Sequence, residues 1–285
     1  MNVLFCADPL NRKTVDDAYA DEYKEAAKLF PCALFSYEDI ERGKLSVYGD
    51  IKGETLYRGW MMRPELYRCF YEKLAARGIF LVNAPDEYEK YHLLPNWYND
   101  FKEATPNTVW TDSPDVDKAL SLVAGATGPF IVKDYVKSRK HEWNDACYIS
   151  RIEDMTEARR VIANFVVRQG SDLVGGIVLR RYENFRIVDR HEKSGMPVAE
   201  EYRCFVFDGK IISIDGYWNH KAVDALSREE LVWLNGIVAR IGSRFVSVDL
   251  ARKESGELMI VELGDGQVSG LQQLDAGRFY RGLMP

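Results

Sequence analysis

The feature that most constrains this chain is an alternation of short apolar runs with amphipathic stretches. Val3-Leu-Phe-Cys6, Ala33-Leu-Phe35, Thr55-Leu-Tyr57 and Gly78-Ile-Phe-Leu-Val82 have the length and composition of buried strands. Between them, Asp16 to Leu29 reads as a helix stopped near Pro31. Pro64 opens a second helix running to about Arg77, which Gly78 closes. Strands alternating with helices predict a small doubly wound α/β domain over residues 1–85.

Beyond Asp86 the pattern becomes α+β. A helical stretch leads to Pro106, and Ser113-Pro114 starts a short helix through Leu120. Pro129-Phe-Ile-Val-Lys133 is a strand that ends on a lysine, and another strand lies near Ala146–Ile149. Asp154 and Glu157 have capping-box spacing ahead of Ala158, Val161, Ile162, Phe165 and Val166 on one helical face. Gly176 to Arg181 is a strand. Tyr202–Phe207 and Lys210–Ile214 form a hairpin across Asp208-Gly209. Ser227 and Glu230 cap a further helix, and Phe245–Leu250 and Leu258–Leu263 are strands joined around Ser255-Gly256. The chain divides into 1–85, a central block 86–182 and a C-terminal block 183–285, with a cleft expected at their junction.

Composition excludes several classes. The chain has 285 residues, with 38 Lys+Arg against 44 Asp+Glu, a net charge of −6. General nucleic-acid coats and anionic-membrane binders are usually basic, so both lose ground. The five cysteines are odd in number and form no CxxC pair, which favours a reducing compartment over a disulfide framework. The first apolar run is broken by Asp8 and lacks a cationic lead, unlike a signal peptide. No run approaches the ~18 apolar residues that span a bilayer. These readings predict a soluble cytoplasmic protein.

The sharpest chemical constellation is Asp249 with Glu262, carboxylates expected at the ends of paired strands. Together they could share a hard cation such as Mg²⁺, which takes oxygen ligands; equally, they could be hairpin-end acids paired with Arg252 or Lys253. Lys133 could project into a cleft toward phosphates, and the Lys137–Trp143 loop after it is basic, a pattern also shown by solvated loops. Gly264-Asp-Gly266-Gln lacks GxGxxG spacing, and there is no GxxxxGK[ST] loop or GxSxG elbow.

The ordered set of segments resembles the ATP-grasp superfamily of ATP-dependent ligases from about Asp86 onward. It is carried by Pro129–Lys133, by Ile177-Val-Leu-Arg-Arg-Tyr-Glu183, by Glu201-Tyr-Arg203-Cys-Phe-Val-Phe-Asp-Gly-Lys-Ile, and by Val248-Asp249 with Ile260-Val-Glu262-Leu-Gly-Asp265. It is also similar to the bacterial and phage subgroup named for one arginine and two lysines. The resemblance implies a pre-ATP-grasp α/β domain followed by a two-subdomain ATP-grasp fold, with ATP and Mg²⁺ as cofactors. Lys133, Lys137 and Ser138 would then hold phosphates. Arg181, Tyr182 and Glu183 would form the hinge that reads adenine and ribose. Arg203 would lie at the transferred phosphoryl group, with Asp249 and Glu262 on Mg²⁺. Lys90 is the candidate for the second nucleotide lysine, with Lys102 behind it.

Three departures stand out. The Lys137–Trp143 loop contains no glycine, although the phosphate-covering loop of such enzymes usually does. Gly264 stands where most relatives carry a metal-binding asparagine, which makes Asp265 the candidate replacement ligand. The hinge carries Arg180 and Arg181 where many relatives have an acid. The implied activity is a carboxylate–amine ligase forming an amide through an acyl phosphate. Its substrates would be a small-molecule or peptide carboxylate and an amine, with Arg58 as the candidate carboxylate ligand. A homodimer is compatible with the sequence; membrane and nucleic-acid partners are not indicated. The competing readings are phosphoryl transfer to a small molecule and a nucleotide-binding module without catalysis.

Overall fold

The N-terminal alternation builds a five-stranded sheet in a computed structural model that describes residues 1–218 and 223–284. Its strands are β1 (Asn2–Cys6), β2 (Cys32–Phe35), β3 (Val47–Tyr48), β4 (Gly53–Arg58) and β5 (Ile79–Leu81), ordered β3-β2-β1-β4-β5. β1 runs parallel to β2 and β4, and β4 runs parallel to β5; only the short edge strand β3 is antiparallel. The first predicted helix is shorter than expected. The Asp16 side chain caps a 3-10 turn that continues into α1 (Ala20–Ala26), and the chain leaves helix well before Pro31. Next come α2 (Tyr37–Glu41) and α3 (Pro64–Ala75), the latter with proline in its first turn as predicted.

Two helices follow, α4 (Pro85–His92) and α5 (Leu94–Phe101). Their apolar residues, including Leu94, Trp97 and Phe101, share one core with Val246, Val248 and Ile260 of the C-terminal sheet. The chain therefore builds part of the C-terminal layer before it enters the central one. The central layer is antiparallel, with β6 (Thr108–Trp110), β7 (Phe130–Lys133), β8 (Tyr148–Ile149) and β9 (Val178–Arg181) in the order β6-β9-β7-β8. Its helices are α6 (Val116–Leu122), the single-turn α7 (Trp143–Ala146) and α8 (Met155–Gln169). Asp154 caps α8 by accepting from the Thr156 and Glu157 amides, and Gly170 ends the helix at φ 52°.

A small ribbon of β10 (Ile187–Arg190) and β11 (Pro197–Ala199) leads into the C-terminal layer. There β12 (Glu201–Phe207), β13 (Lys210–Gly216), β14 (Phe245–Arg252) and β15 (Leu258–Asp265) form an antiparallel sheet ordered β13-β12-β14-β15. The β12–β13 turn places Asp208 at φ 46° and Gly209 at φ 72°, the left-handed pair that an Asp-Gly hairpin turn supplies. α9 (Arg228–Val238) opens with a Ser227–Glu230 capping box. One sheet face carries Tyr202, Cys204, Val206, Val248 and Leu250 into the α4–α5 core, so strand alternation turns Arg203 and Asp249 to the other face.

Buried cations tie the layers together. Arg180 of β9 donates to the carbonyls of Val261 (2.5 Å) and Ile260 (3.2 Å) and to the Thr105 hydroxyl. The chain ends in α10 (Ala276–Gly282), whose Phe279 and Tyr280 join Val3, Phe5 and Leu56 in the N-terminal core. None of the helices among the described residues is long and apolar enough to cross a membrane.

Candidate active site

Sheet register assembles the site. Arg203 pairs across strands with Asp249, and Asp249 pairs with Glu262, so three charged residues form one row over β12, β14 and β15. The carboxylates lie within their strands rather than at hairpin ends, because both strands run on beyond them. Neither is paired with Arg252 or Lys253, which bind Glu200 and Glu230, and Glu183, respectively. Arg203 instead forks onto Asp249, with Nε to Oδ1 at 2.8 Å and Nη2 to Oδ2 at 2.6 Å, and its Nη1 donates to Gly270 O at 2.8 Å. Lys133 reaches over from the central sheet and donates to Glu262 Oε1 at 2.7 Å. Burial alone would raise the Glu262 carboxyl, but Lys133 and Arg180 hold it below its ordinary range.

The loop after β7 adds the third cation. Its shape needs no glycine, and no residue from 134 to 143 takes a positive φ. Buried Asp134 accepts from the Val136 and Lys137 amides at 2.7 and 2.6 Å and so turns the chain. Arg139 returns on Glu142 through two bonds, and with Arg168 it holds that carboxyl down to about 2. Lys140 consequently projects into the cleft, with Nζ 5.6 and 5.4 Å from the ring centroids of Tyr217 and Trp218. Buried Glu201 accepts from Trp218 Nε1 at 2.8 Å, and burial raises its carboxyl. Lys133, Lys140 and Arg203 thus face Glu201, Asp249 and Glu262, and Lys137 adds a further cation at the cavity.

Three cavities surround this loop, and Ser138 borders all of them. One of about 250 Å³ contains Lys137, Lys140, Arg203, Asp249 and Glu262. One of about 270 Å³ lies beside Met196 and Trp218, next to an aromatic cluster in which Trp143 stacks on Tyr148 and Tyr182 packs edge-on to both. The largest, about 560 Å³, opens between Arg63, Met62 and Leu66 of the N-terminal domain and the loop. His92 borders both this space and the charged cavity; burial lowers its pKa to about 4, so it is a neutral imidazole at physiological pH.

Lys133, Lys137, Ser138, Arg203, Asp249 and Glu262 therefore come together as the sequence reading places them. Other candidates do not. Lys90 lies on the surface, bonded to Asp100 and to Asn96 O, and Lys102 is exposed. Arg181 is exposed and bonds Thr127 O, and the hinge amides of Arg181 and Tyr182 are taken up by Asn107 O and Pro129 O. Glu183 lies 3.8 Å from Lys253. Asp265 borders the charged cavity, but its carboxylate is fully buried, accepting from Asn83 Nδ2 at 2.5 Å and the Gln267 amide at 2.9 Å. It is three residues from Glu262 on the same strand, so alternation turns it to the opposite face. Arg58 is fully buried too. It forks onto Glu22 at 2.9 Å and donates to the carbonyls of Gly266 and Ser269, a clamp within the core rather than a ligand in the cleft. Sequence reasoning misses Glu201, although it stands two residues before Arg203. It also leaves Lys140 among loop cations that spacing alone cannot rank.

The family model for the ATP-grasp domain of the clade named for one arginine and two lysines, in its third family, matches residues 123–283. The chain belongs to this ATP-grasp family. Membership makes it an enzyme of the ATP-grasp ligase class, and the layers agree. A RimK domain ATP-grasp protein from Sphaerobacter thermophilus superposes with a TM-score of 0.63 at 14% identity, covering 99% of both chains. The D-cycloserine synthetase DcsG gives 0.61 at 15% identity, over 99% of this chain and 98% of its own. The ATP-grasp ligase PsnB, in a complex with minimal precursor, Mg and ADP, gives 0.58 at 12% identity, over 99% and 96%. Identities this low establish the fold. A search of curated proteins found no match.

Proposed function

We propose that this ATP-grasp enzyme joins a carboxylate to an amine with ATP and Mg²⁺, through an acyl phosphate. The observation that carries the reading is the cross-strand row Arg203–Asp249–Glu262 with Lys133 closing on it from the opposite sheet. The residues present suit a hard divalent cation. Glu262 uses one oxygen on Lys133, each Asp249 oxygen keeps a lone pair beyond its Arg203 bond, and both carboxylates border one cavity. Among the described residues, no group of three or more His, Cys, Asp or Glu could hold a metal, so neutral oxygens and phosphates would complete the coordination. When bound, Mg²⁺ would neutralise phosphate charge.

Lys133, Lys140 and Arg203 supply fixed positive charge where the triphosphate would lie. The aromatic cluster of Trp143, Tyr148 and Tyr182, with Met196 and Trp218, offers an apolar wall for the adenine. In the first step a substrate carboxylate oxygen attacks the γ-phosphorus, and the bond to the β-phosphate oxygen breaks to release ADP. In the second step the amine nitrogen attacks the acyl carbon. The carbon–oxygen bond to phosphate breaks, phosphate leaves, and the amine loses a proton. Positioning and charge neutralisation suffice, and no protein nucleophile is required. The largest cavity, about 560 Å³, adjoins the charged one through Met61, His92, Val136, Lys137 and Ser138 and has room for a peptide-sized substrate. The same relative, PsnB, in a complex with precursor peptide PsnA2 and AMPPNP, lends support to a peptide substrate.

The test is an ADP-release screen over pairs of carboxylates and amines, with mass spectrometry of positive reactions. Glu262→Gln and Asp249→Asn are expected to abolish Mg²⁺-dependent ADP formation. Lys133→Ala is expected to lower turnover about 10²-fold or more. Full activity in both carboxylate variants would remove the metal assignment. A stable phosphorylated product with no amide would replace ligation by phosphoryl transfer.

A further inference from the structure

Two carboxylates leave a divalent cation short of protein oxygens. Asp265 borders the charged cavity, but its carboxylate is taken up by Asn83 and Gln267 and lies on the other face of the strand from Glu262. Position 264 has no side chain to offer, because it is glycine. Yet the space beside Gly264 is filled. A Cβ at Gly264 would meet Ser247 Oγ at 2.8 Å and Ser269 Oγ at 3.1 Å. Ser247 is the register partner of Gly264 and lies two residues before Asp249, so it shares that residue's face. Both serines border the cavity that holds Asp249 and Glu262, and they are only 2% and 7% exposed.

Each hydroxyl has one proton. Ser269 Oγ lies 2.8 Å from Asp265 O and donates to it. The 2.7 Å contact between the hydroxyls then uses the proton of Ser247, because its other acceptor, Gly264 O, is distant at 3.4 Å. Ser247 Oγ keeps acceptor capacity beside the cavity, and no other described donor takes it up. A neutral oxygen beside two carboxylates is what a hard cation binds, and a hydroxyl on Mg²⁺ is known chemistry at phosphate sites.

We infer that Ser247, oriented by Ser269, supplies a neutral oxygen ligand to the divalent cation shared by Asp249 and Glu262. This rests on the proposed nucleotide site and adds to it the donor that Gly264 lacks. Gly264 is then the residue that leaves room for the hydroxyl pair.

The experiment is calorimetric titration of the full-length protein with the β,γ-imido analogue of ATP, once with saturating Mg²⁺ and once with a chelator. The ratio of the two affinities measures the coupling between metal and nucleotide. In Ser247→Ala, coupling should fall by about tenfold or more, as when a partner at a metal site is lost, while metal-free affinity should stay at the wild-type value. In Ser247→Cys, Mg²⁺ coupling should fall, and Cd²⁺, which favours sulfur, should restore it beyond its effect on the wild type. A merely structural serine would not move metal preference. Wild-type coupling in Ser247→Ala would overturn the inference, as would a parallel loss of metal-free affinity. If the wild type shows no coupling, or Asp249→Asn keeps all of it, the proposed site itself fails. If those two controls behave and Ser247→Ala is silent, only the serine assignment fails.

Discussion

Single residues decide whether this sheet face can work as a site. A methyl group on Gly264 would lie 2.8 Å from Ser247 Oγ and 3.1 Å from Ser269 Oγ, so the hydroxyl pair would have to move and its hydrogen bond would weaken. Gly264→Ala should therefore cost about 1–2 kcal/mol in chemical denaturation, and Ser247→Ala, which deletes the obstructing oxygen, should recover most of it. Additive losses would show that the two residues do not interact. Asp265 carries a different prediction. Burial raises its carboxyl to about 7, against the opposing bonds from Asn83 and Gln267. With a folded pKa above the unfolded value of about 4, the folded state binds the extra proton between those limits. This contribution is thus fully present at low pH and is lost as pH rises toward and through 7. The stability of wild type minus that of Asp265→Asn should decline from pH 4 to 7 and flatten above 8. A flat difference would mean that the carboxylate stays ionised throughout.

At the scale of elements, the strands and their register are the legible part, and the loop is not. Val248-Asp249 and Val261-Glu262 read as strands because apolar alternation has a period of two, and the same alternation sets both acids on one face. It also indicates that Asp265, three residues from Glu262, faces away, a consequence that the need for a third ligand obscures. The Asp16–Leu29 helix is overextended from sequence because a 3-10 turn satisfies the same spacing over its first residues. Lys90 and Arg58 are misplaced for a tertiary reason: their partners Asp100 and Glu22 come together with them only in the folded chain. The glycine-free loop is illegible because carboxylates do the work expected of glycines. Asp134 accepts from Val136, Lys137, Gln169 and Val174. Asp134→Ala should release the amides of residues 136 and 137 to hydrogen exchange and cost about 1–3 kcal/mol in stability. It should also weaken nucleotide binding, because the loop carries Lys137 and Lys140. Unchanged protection at those amides would show that Arg139 and Glu142 hold the loop without it.

At the scale of the whole molecule, the site depends on the end of the chain returning to its beginning. After β15, Gly266 to Ser269 pass over the N-terminal domain, and Arg58 binds two of their carbonyls closely while its other side grips Glu22. Tyr280 donates to the same glutamate at 3.1 Å, and Phe279 lies 5.2 Å below the guanidinium. Ser269 is thus held by Arg58 through its backbone and by Ser247 through its side chain, so a clamp in the first domain reaches the floor of the cleft in the last. Arg58→Met removes one partner of a buried pair and should cost about 3–5 kcal/mol, largely from the stranded charge of Glu22. Arg58→Met with Glu22→Leu should recover most of that loss, since replacing both ions removes the unpaired charge. The same variants separate a clamp from a substrate ligand. Assayed well below its melting temperature, the double variant should keep the wild-type KM for the carboxylate, because Arg58 borders none of the three cavities around the loop. A KM raised in the double variant as much as in Arg58→Met, with stability restored, would return Arg58 to the substrate.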